Sequence, residues 1–257
     1  MFRTSGPLTI ENEPNYTTIN INDQSDSGNR TATLDNFTPS GETEFGRIQD
    51  LAPGAITFDG TDARDVNIHT GTRTVVVDVW STCPILGTLS LLGHSNNTTV
   101  NVGNGGSVQD IRGNLTIQNP PWYTAVNVDD SADPTGQTVL LNNVTIGGMP
   151  YGEISGLAPA NIFYKLWDTA SVTMRGGTGG NIFQIEAVTP AVPITINGGS
   201  GTNVYRVSPL AQLLDNIQGT PWVIARPTMF INLIVVLNNM ARANRPPLAE
   251  NLAQGGV

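Results

Sequence analysis

The sequence contains itself twice. A stretch of about a hundred residues beginning GPLTIENEPNYTTININDQSDSGN at Gly6 returns at Gly113 as GNLTIQNPPWYTAVNVDDSADPTG. Leu8 matches Leu115 and Tyr16 matches Tyr123 at an offset of 107. The triplet Leu51-Ala52-Pro53 matches Leu157-Ala158-Pro159 at 106, and Val100 to Val102 matches Tyr205 to Val207 at 105. A duplication that keeps step with one-residue insertions over its whole length restricts the fold to one that can be extended by repetition. The copies run 6–112 and 113–218, and a third begins at 219 and soon loses the match. Residues 1–224 are therefore expected to form one repeat body, and 225–257 a cap on its last coil or a tail.

Within each copy, short runs of alternating apolar residues are bounded by Gly, Asn, Asp and Pro, the pattern of strands and turns. In the first copy these runs are 18–21, 31–34, 55–58, 65–68, 75–79, 88–92, 99–102 and 115–117. In the second they are 126–128, 138–141, 161–164, 171–174, 181–185, 194–196 and 203–207. No amphipathic helix is evident before residue 209. An all-β fold follows, either a parallel β-helix (β-solenoid) or a β-sandwich. Two features favour the β-helix. Gly176-Gly177 and Gly198-Gly199 stand at equivalent places between strands, where a coil must turn tightly. Each copy is also built of similar strand–turn–strand units, and a solenoid grows by adding them.

Composition narrows the function. The net charge of −9 and the pI near 4.5 exclude the basic clusters that bind phosphate backbones, so no nucleic-acid partner is expected. Charged residues make up 13% of the chain, about half the roughly 25% of an ordinary domain. The longest apolar run, 229–237, contains Asn232 and is far shorter than the roughly 20 residues of a membrane span. A lone cysteine, Cys83, allows no internal disulfide and reads as a small buried apolar residue. The N-terminus runs straight into the repeat with no visible secretory signal, as expected of a processed chain or of a piece of a longer one.

The glycine-rich stretches VTMRGGTGGNIFQI (172–185) and ITINGGSGTNVYRV (194–207) resemble the VNGGxGNDxFNV-type β-helical repeats of large bacterial secreted or surface proteins of the planctomycete type. Segments such as 128–136 and 154–159 also have counterparts there, so the resemblance covers about residues 6 to 220. It implies an extracellular or cell-surface β-helical rod and no particular reaction. The first copy has lost most of these glycines, as at 71–74 and 93–97.

Candidate chemistry is sparse. The same stretches approach a calcium-binding nonapeptide, yet Asn181 and Asn203 stand where it needs aspartate. Asp129, Asp130 and Asp133, matched by Asp23 and Asp26, are the candidate calcium ligands, against the plainer reading of an Asp-rich turn bonded to its own backbone. Trp122 and Tyr123, after Pro120-Pro121, are candidates for stacking on carbohydrate; Phe163, Tyr164, Trp167 and Trp222 are the other aromatics considered. A charged region comprising Glu42, Glu44, Arg47, Asp50, Asp59, Asp62, Arg64 and Asp65 is where a polysaccharide-active site would lie, against a solvated charged face. His69 and His94 face an arginine and a glycine in the other copy and form no triad. The resulting expectation is a non-catalytic structural or adhesive segment, self-associating head-to-tail or binding extracellular glycan. The alternative is a polysaccharide-binding or polysaccharide-degrading module.

Overall fold

The computed structural model describes residues 6–219 and, beyond them, the backbone of two short strands. The first copy supplies β1 (Leu8–Ile10), β2 (Thr17–Asn22), β3 (Arg30–Phe37), β4 (Phe45–Gln49), β5 (Ile56–Asp59), β6 (Ala63–His69), β7 (Val75–Val79), β8 (Leu89–Leu92) and β9 (Thr98–Val102). The second supplies β10 (Leu115–Gln118), β11 (Thr124–Asp129), β12 (Thr138–Ile146), β13 (Met149–Ser155), β14 (Ile162–Lys165), β15 (Thr169–Arg175), β16 (Ile182–Ile185), β17 (Ile194–Asn197) and β18 (Val204–Val207). After a single 3-10 turn, Leu214–Asn216, come β19 (Trp222–Ile224) and β20 (Ile234–Leu237). The protein is all-β.

The strands form two ten-stranded sheets, in the orders β1-β5-β4-β3-β7-β9-β11-β15-β17-β19 and β2-β6-β8-β10-β14-β13-β12-β16-β18-β20. Outside two three-stranded meanders every pairing is parallel, and a strand pairs with the next but one in sequence because the strand between lies in the opposite sheet. Two layers enclose the core, as in a sandwich, but the chain winds between them coil upon coil. Alternation explains which side faces in. Val75, Val77 and Val79 of β7 stack under Thr98, Val100 and Val102 of β9, and Val126 and Val128 of β11 continue the rows. Leu89 and Leu91 of β8 with Leu115 and Ile117 of β10 do the same from the other side. The buried residues of both copies form one continuous cluster.

The two copies are related by half a turn. Between β1 and β9 the chain visits the sheets seven times, counting the meander β3-β4-β5 as one visit, and seven is odd. Each strand of the second copy therefore lies in the sheet opposite its counterpart: β6 opposite β15, β8 opposite β17, and meander β3-β4-β5 opposite meander β12-β13-β14. After two copies the phase returns, so β19 and β20 occupy the two sheets in the order of β1 and β2.

Both meanders are built around one contact. A Cβ on Gly46 would stand 2.2 Å from the ring of Phe58, and one on Gly152 2.1 Å from that of Tyr164. Each ring is buried and lies across the glycine backbone of the neighbouring antiparallel strand. Cys83 is buried as expected, and burial pushes its thiol up to about 12. The cap or tail expected at 225–257 lies outside the described residues except for β20, which extends the ladder beside β18.

Candidate functional site

The strand alternation that fills the core separates the three aspartates proposed as calcium ligands. Asp129, the last residue of β11, points outward, 3.7 Å from Arg175 Nη1. Asp130 is the next residue and turns inward, where its Oδ1 accepts hydrogen bonds from Val108 N at 3.1 Å and Gln109 Nε2 at 3.4 Å. Asp133 is also buried; its carboxylate accepts from Thr135 N and Oγ1, Gln109 Nε2 and Gln137 Nε2. Burial, with Asp133 alongside, pushes Asp130 up to about 6, while the donors around Asp133 more than offset its own burial and hold it below the usual carboxylate range. Asp130 and Asp133 thus brace the turn between β11 and β12, and Asp129 does not join them. Among the described residues no three His, Cys, Asp or Glu side chains converge to hold a metal.

The nonapeptide-like loops use asparagine for a reason the geometry makes plain. Asn181 is buried; its Nδ2 donates to the carbonyls of Gly177 at 3.1 Å and Gly198 at 3.0 Å, and its Oδ1 accepts from Gln137 N at 3.0 Å. Asn203 repeats the arrangement one coil on, with its Oδ1 accepting from Asn181 N at 2.9 Å. An aspartate has no hydrogen to offer those carbonyls. The loops are braced by the amide itself.

Trp122 and Tyr123 stand out from the crossing between β10 and β11, 44% and 57% exposed. Trp167, 64% exposed, joins them from the crossing one coil on, where Thr124 N donates to Asp168 O at 2.9 Å. Phe163 is half-buried and Tyr164 wholly buried, so among the described side chains of the aromatics weighed from the sequence Trp167 alone extends this row; the side chain of Trp222 lies outside the described residues. Three exposed aromatic side chains thus stand on neighbouring crossings at one edge.

The charged region of the first copy is knit into pairs. Arg47 forms a bidentate bridge to Asp35 across β3 and β4 and lies 4.9 Å over the Phe37 ring. Glu44 accepts from Arg112 and Asn36, Asp62 from Asn12 N, and Arg64 sits 3.6 Å from Asp65. Glu11, Glu13, Glu42 and Asp59 line an open depression beside them. Asp59 is held below its ordinary range by Thr43 and Thr61 despite burial, the opposite of what a general acid needs.

One site was not legible from the sequence. His69 ends β6 and His94 follows β8 one coil on, so stacking of the coils brings the chain's two histidines together. His69 Nδ1 and His94 Nε2 are 3.1 Å apart, and Gln24 Nε2 lies 3.0 Å from the first and 2.8 Å from the second. The ring planes differ by 13° and their centroids are 5.4 Å apart. That separation is the nitrogen–nitrogen contact plus the two ring radii, so the rings meet head-on. Burial, with His69 next to it, lowers the pKa of His94. The signal that could have found the pair is their separation of 25 residues, close to the one-coil spacing of 23 between Asn67 and Ser90 or Asp78 and Asn101.

In the second copy the corresponding place, half a turn around the molecule, is a cleft of about 330 Å³. Ser131, Arg175 and Gly199 line it where Gln24, His69 and His94 stand in the first. No protein-family model, curated protein or solved structure matches the chain. Among the described residues no helix is long and apolar enough to cross a membrane.

Proposed function

We propose that this chain is a non-catalytic structural or adhesive segment of a secreted or surface-displayed bacterial protein, a β-solenoid that extends by adding coils and joins others of its kind head-to-tail. The observation that carries the reading is the phase of its ends. One end offers β1 and β2, the other β19 and β20, in the same two sheets, and among the described residues each of these strands has one partner only. Unpaired strand edges are templates for another chain, and a contact that does not close gives a filament. The resemblance of the glycine-rich stretches to secreted bacterial repeats points the same way.

Light scattering and electron microscopy across a concentration series test this. Linear species should lengthen with concentration, and Thr9→Lys on β1 should shorten them. Monomers at every concentration would overturn the head-to-tail reading. A second reading, polysaccharide binding, is favoured by the row of Trp122, Tyr123 and Trp167. Glycan-array binding abolished by Trp122→Ala together with Trp167→Ala would support it, and an array without hits would remove it.

A further inference from the structure

We propose that Gln24, His69 and His94 form a binding site for a borderline divalent cation of the zinc, nickel and copper class. The argument begins with hydrogen-bond parity. Three atoms lie within 3.1 Å of one another: His69 Nδ1, His94 Nε2 and the terminal amide atom of Gln24. Each is either a donor or an acceptor in the neutral side chain: an imidazole nitrogen carries a hydrogen or a lone pair, and the amide presents NH2 or, turned over, its oxygen. Donor and acceptor cannot alternate around a ring of three, so one contact is always mismatched. If the amide donates to both histidines, their lone pairs face each other. If one histidine donates to the other, the amide finds one correct neighbour and one wrong one. A cation removes the conflict, because all three groups can then present lone pairs at once.

The dimensions suit such an ion. Ligands with bonds of about 2.0–2.2 Å stand about 3 Å apart at right angles and about 3.4 Å apart at the tetrahedral angle that zinc prefers; the three contacts, 2.8, 3.0 and 3.1 Å, are close to the first spacing and reach the second by a small outward shift of the side chains. Imidazole nitrogen with a neutral oxygen selects zinc, nickel or copper over calcium, which wants six to eight oxygens. All three side chains are half-buried, so an ion can enter and keep water on its remaining positions. The nearly coplanar rings turn about their Cβ–Cγ bonds to direct both lone pairs to one point beside Gln24. The backbone under them is fixed: Asp23 N donates to His69 O at 2.9 Å and Thr70 N to Leu92 O at 3.0 Å, which locks the three coils in register. The site belongs to the first copy alone, since Ser131, Arg175 and Gly199 cannot reproduce it.

Isothermal titration calorimetry of the whole chain with zinc chloride and nickel chloride, against calcium chloride, tests the site. One zinc or nickel ion per chain is expected, with no heat from calcium. His69→Arg and His94→Gly, each introducing the second copy's residue, should each weaken binding at least about ten-fold, and Gln24→Ser by less. Imidazole nitrogen resonances of the unsubstituted chain give a readout that does not depend on any variant folding: those of both histidines should shift together as zinc is added. Zinc binding unchanged by either histidine substitution, or a histidine resonance unmoved at millimolar zinc, would overturn the proposal.

Discussion

At one location in the fold the two copies have diverged completely, while a few strands away they are the same. Where the crossing after β6 brings Gln24, His69 and His94 into contact, the crossing after β15 leaves Arg175 at the mouth of a cleft, facing Asp129. Yet Gly46 beneath Phe58 and Gly152 beneath Tyr164 are superposable in role, and cis peptide bonds precede both Pro14 and Pro121. The difference separates what winding requires from what it merely tolerates. Inward residues and meander contacts must recur because every coil is packed between two others. Outward residues at the crossings answer only to solvent and ligands, and there a copy can acquire something of its own.

The largest expected effect tests the part that is shared. Gly46→Ala and Gly152→Ala each force a methyl group into a buried ring, so each should cost about 3 kcal/mol or more by denaturant unfolding, and by similar amounts. A cost in one copy and none in the other would break the equivalence of the meanders.

A somewhat smaller effect concerns a buried position that the copies fill differently. Asn181 corresponds to Val75, an apolar core residue. Asn181→Val should therefore lose about 2–3 kcal/mol, because the carbonyls of Gly177 and Gly198 are left buried without partners and the half-buried amide of Gln137 loses its acceptor. Unchanged stability would mean that the second copy's loops do not depend on the amide.

The third prediction is a pH dependence. Asp130 is raised from 3.8 to about 6, so the folded state holds its proton where the unfolded chain has released it. Stability is then full below about pH 4, falls between about pH 4 and 6, and is flat above, by an amount on the order of 2 kcal/mol. Asp133, lowered in the folded state, acts in the opposite sense below about pH 4. Asp168, raised to about 6 by its own burial, falls in the same window, so Asp130→Asn should shrink the fall between pH 4 and 6 in thermal melts without abolishing it; a fall of unchanged size would assign it wholly to other groups.

The smallest effect is on the exposed row. Trp122→Ala and Trp167→Ala should change stability by less than about 0.5 kcal/mol, because neither indole is enclosed. A larger loss would move these residues from a platform to packing.

Much of the fold was legible in the sequence because the alternation of Val75-Val77-Val79 or Ile194-Ile196 is set by the same burial that forms the strands. The runs read from the sequence all fall on strands, within a residue or two at their ends except where β3 and β12 run three and five residues further into their meanders. The middle strands of the meanders, β4 and β13, were missed along with β1. Gly46, Pro150 and Gly152 interrupt the apolar alternation there, since glycine and proline are depleted in strands, whereas the structure uses the glycines as flat ground for an aromatic ring. Arg47 was consequently read as part of a loose charged region rather than as a strand residue paired with Asp35. The aspartate cluster was legible as a turn, but Asp129 and Asp130 diverge because adjacent residues of a strand point to opposite sides. The histidine pair was hidden because its partners are joined by coil stacking and not by proximity in the chain.

The central claim is that the chain winds between two sheets, so that a strand pairs with the next but one. Cysteines exchanged in pairs into a Cys83→Ala background test it directly. Asn101 on β9 and Asn127 on β11 are in register, with Asn127 Nδ2 donating to Asn101 Oδ1 at 2.9 Å; neighbouring strands stand about 4.7–4.9 Å apart, inside the Cα separation of about 4.4–6.8 Å that a disulfide bridges. Winding predicts that Asn101→Cys with Asn127→Cys oxidises to an intrachain disulfide, and that Asn101→Cys with Thr116→Cys on the intervening β10 does not. A disulfide between positions 101 and 116, with none between 101 and 127, would contradict the winding and the half-turn relation of the copies that rests on it.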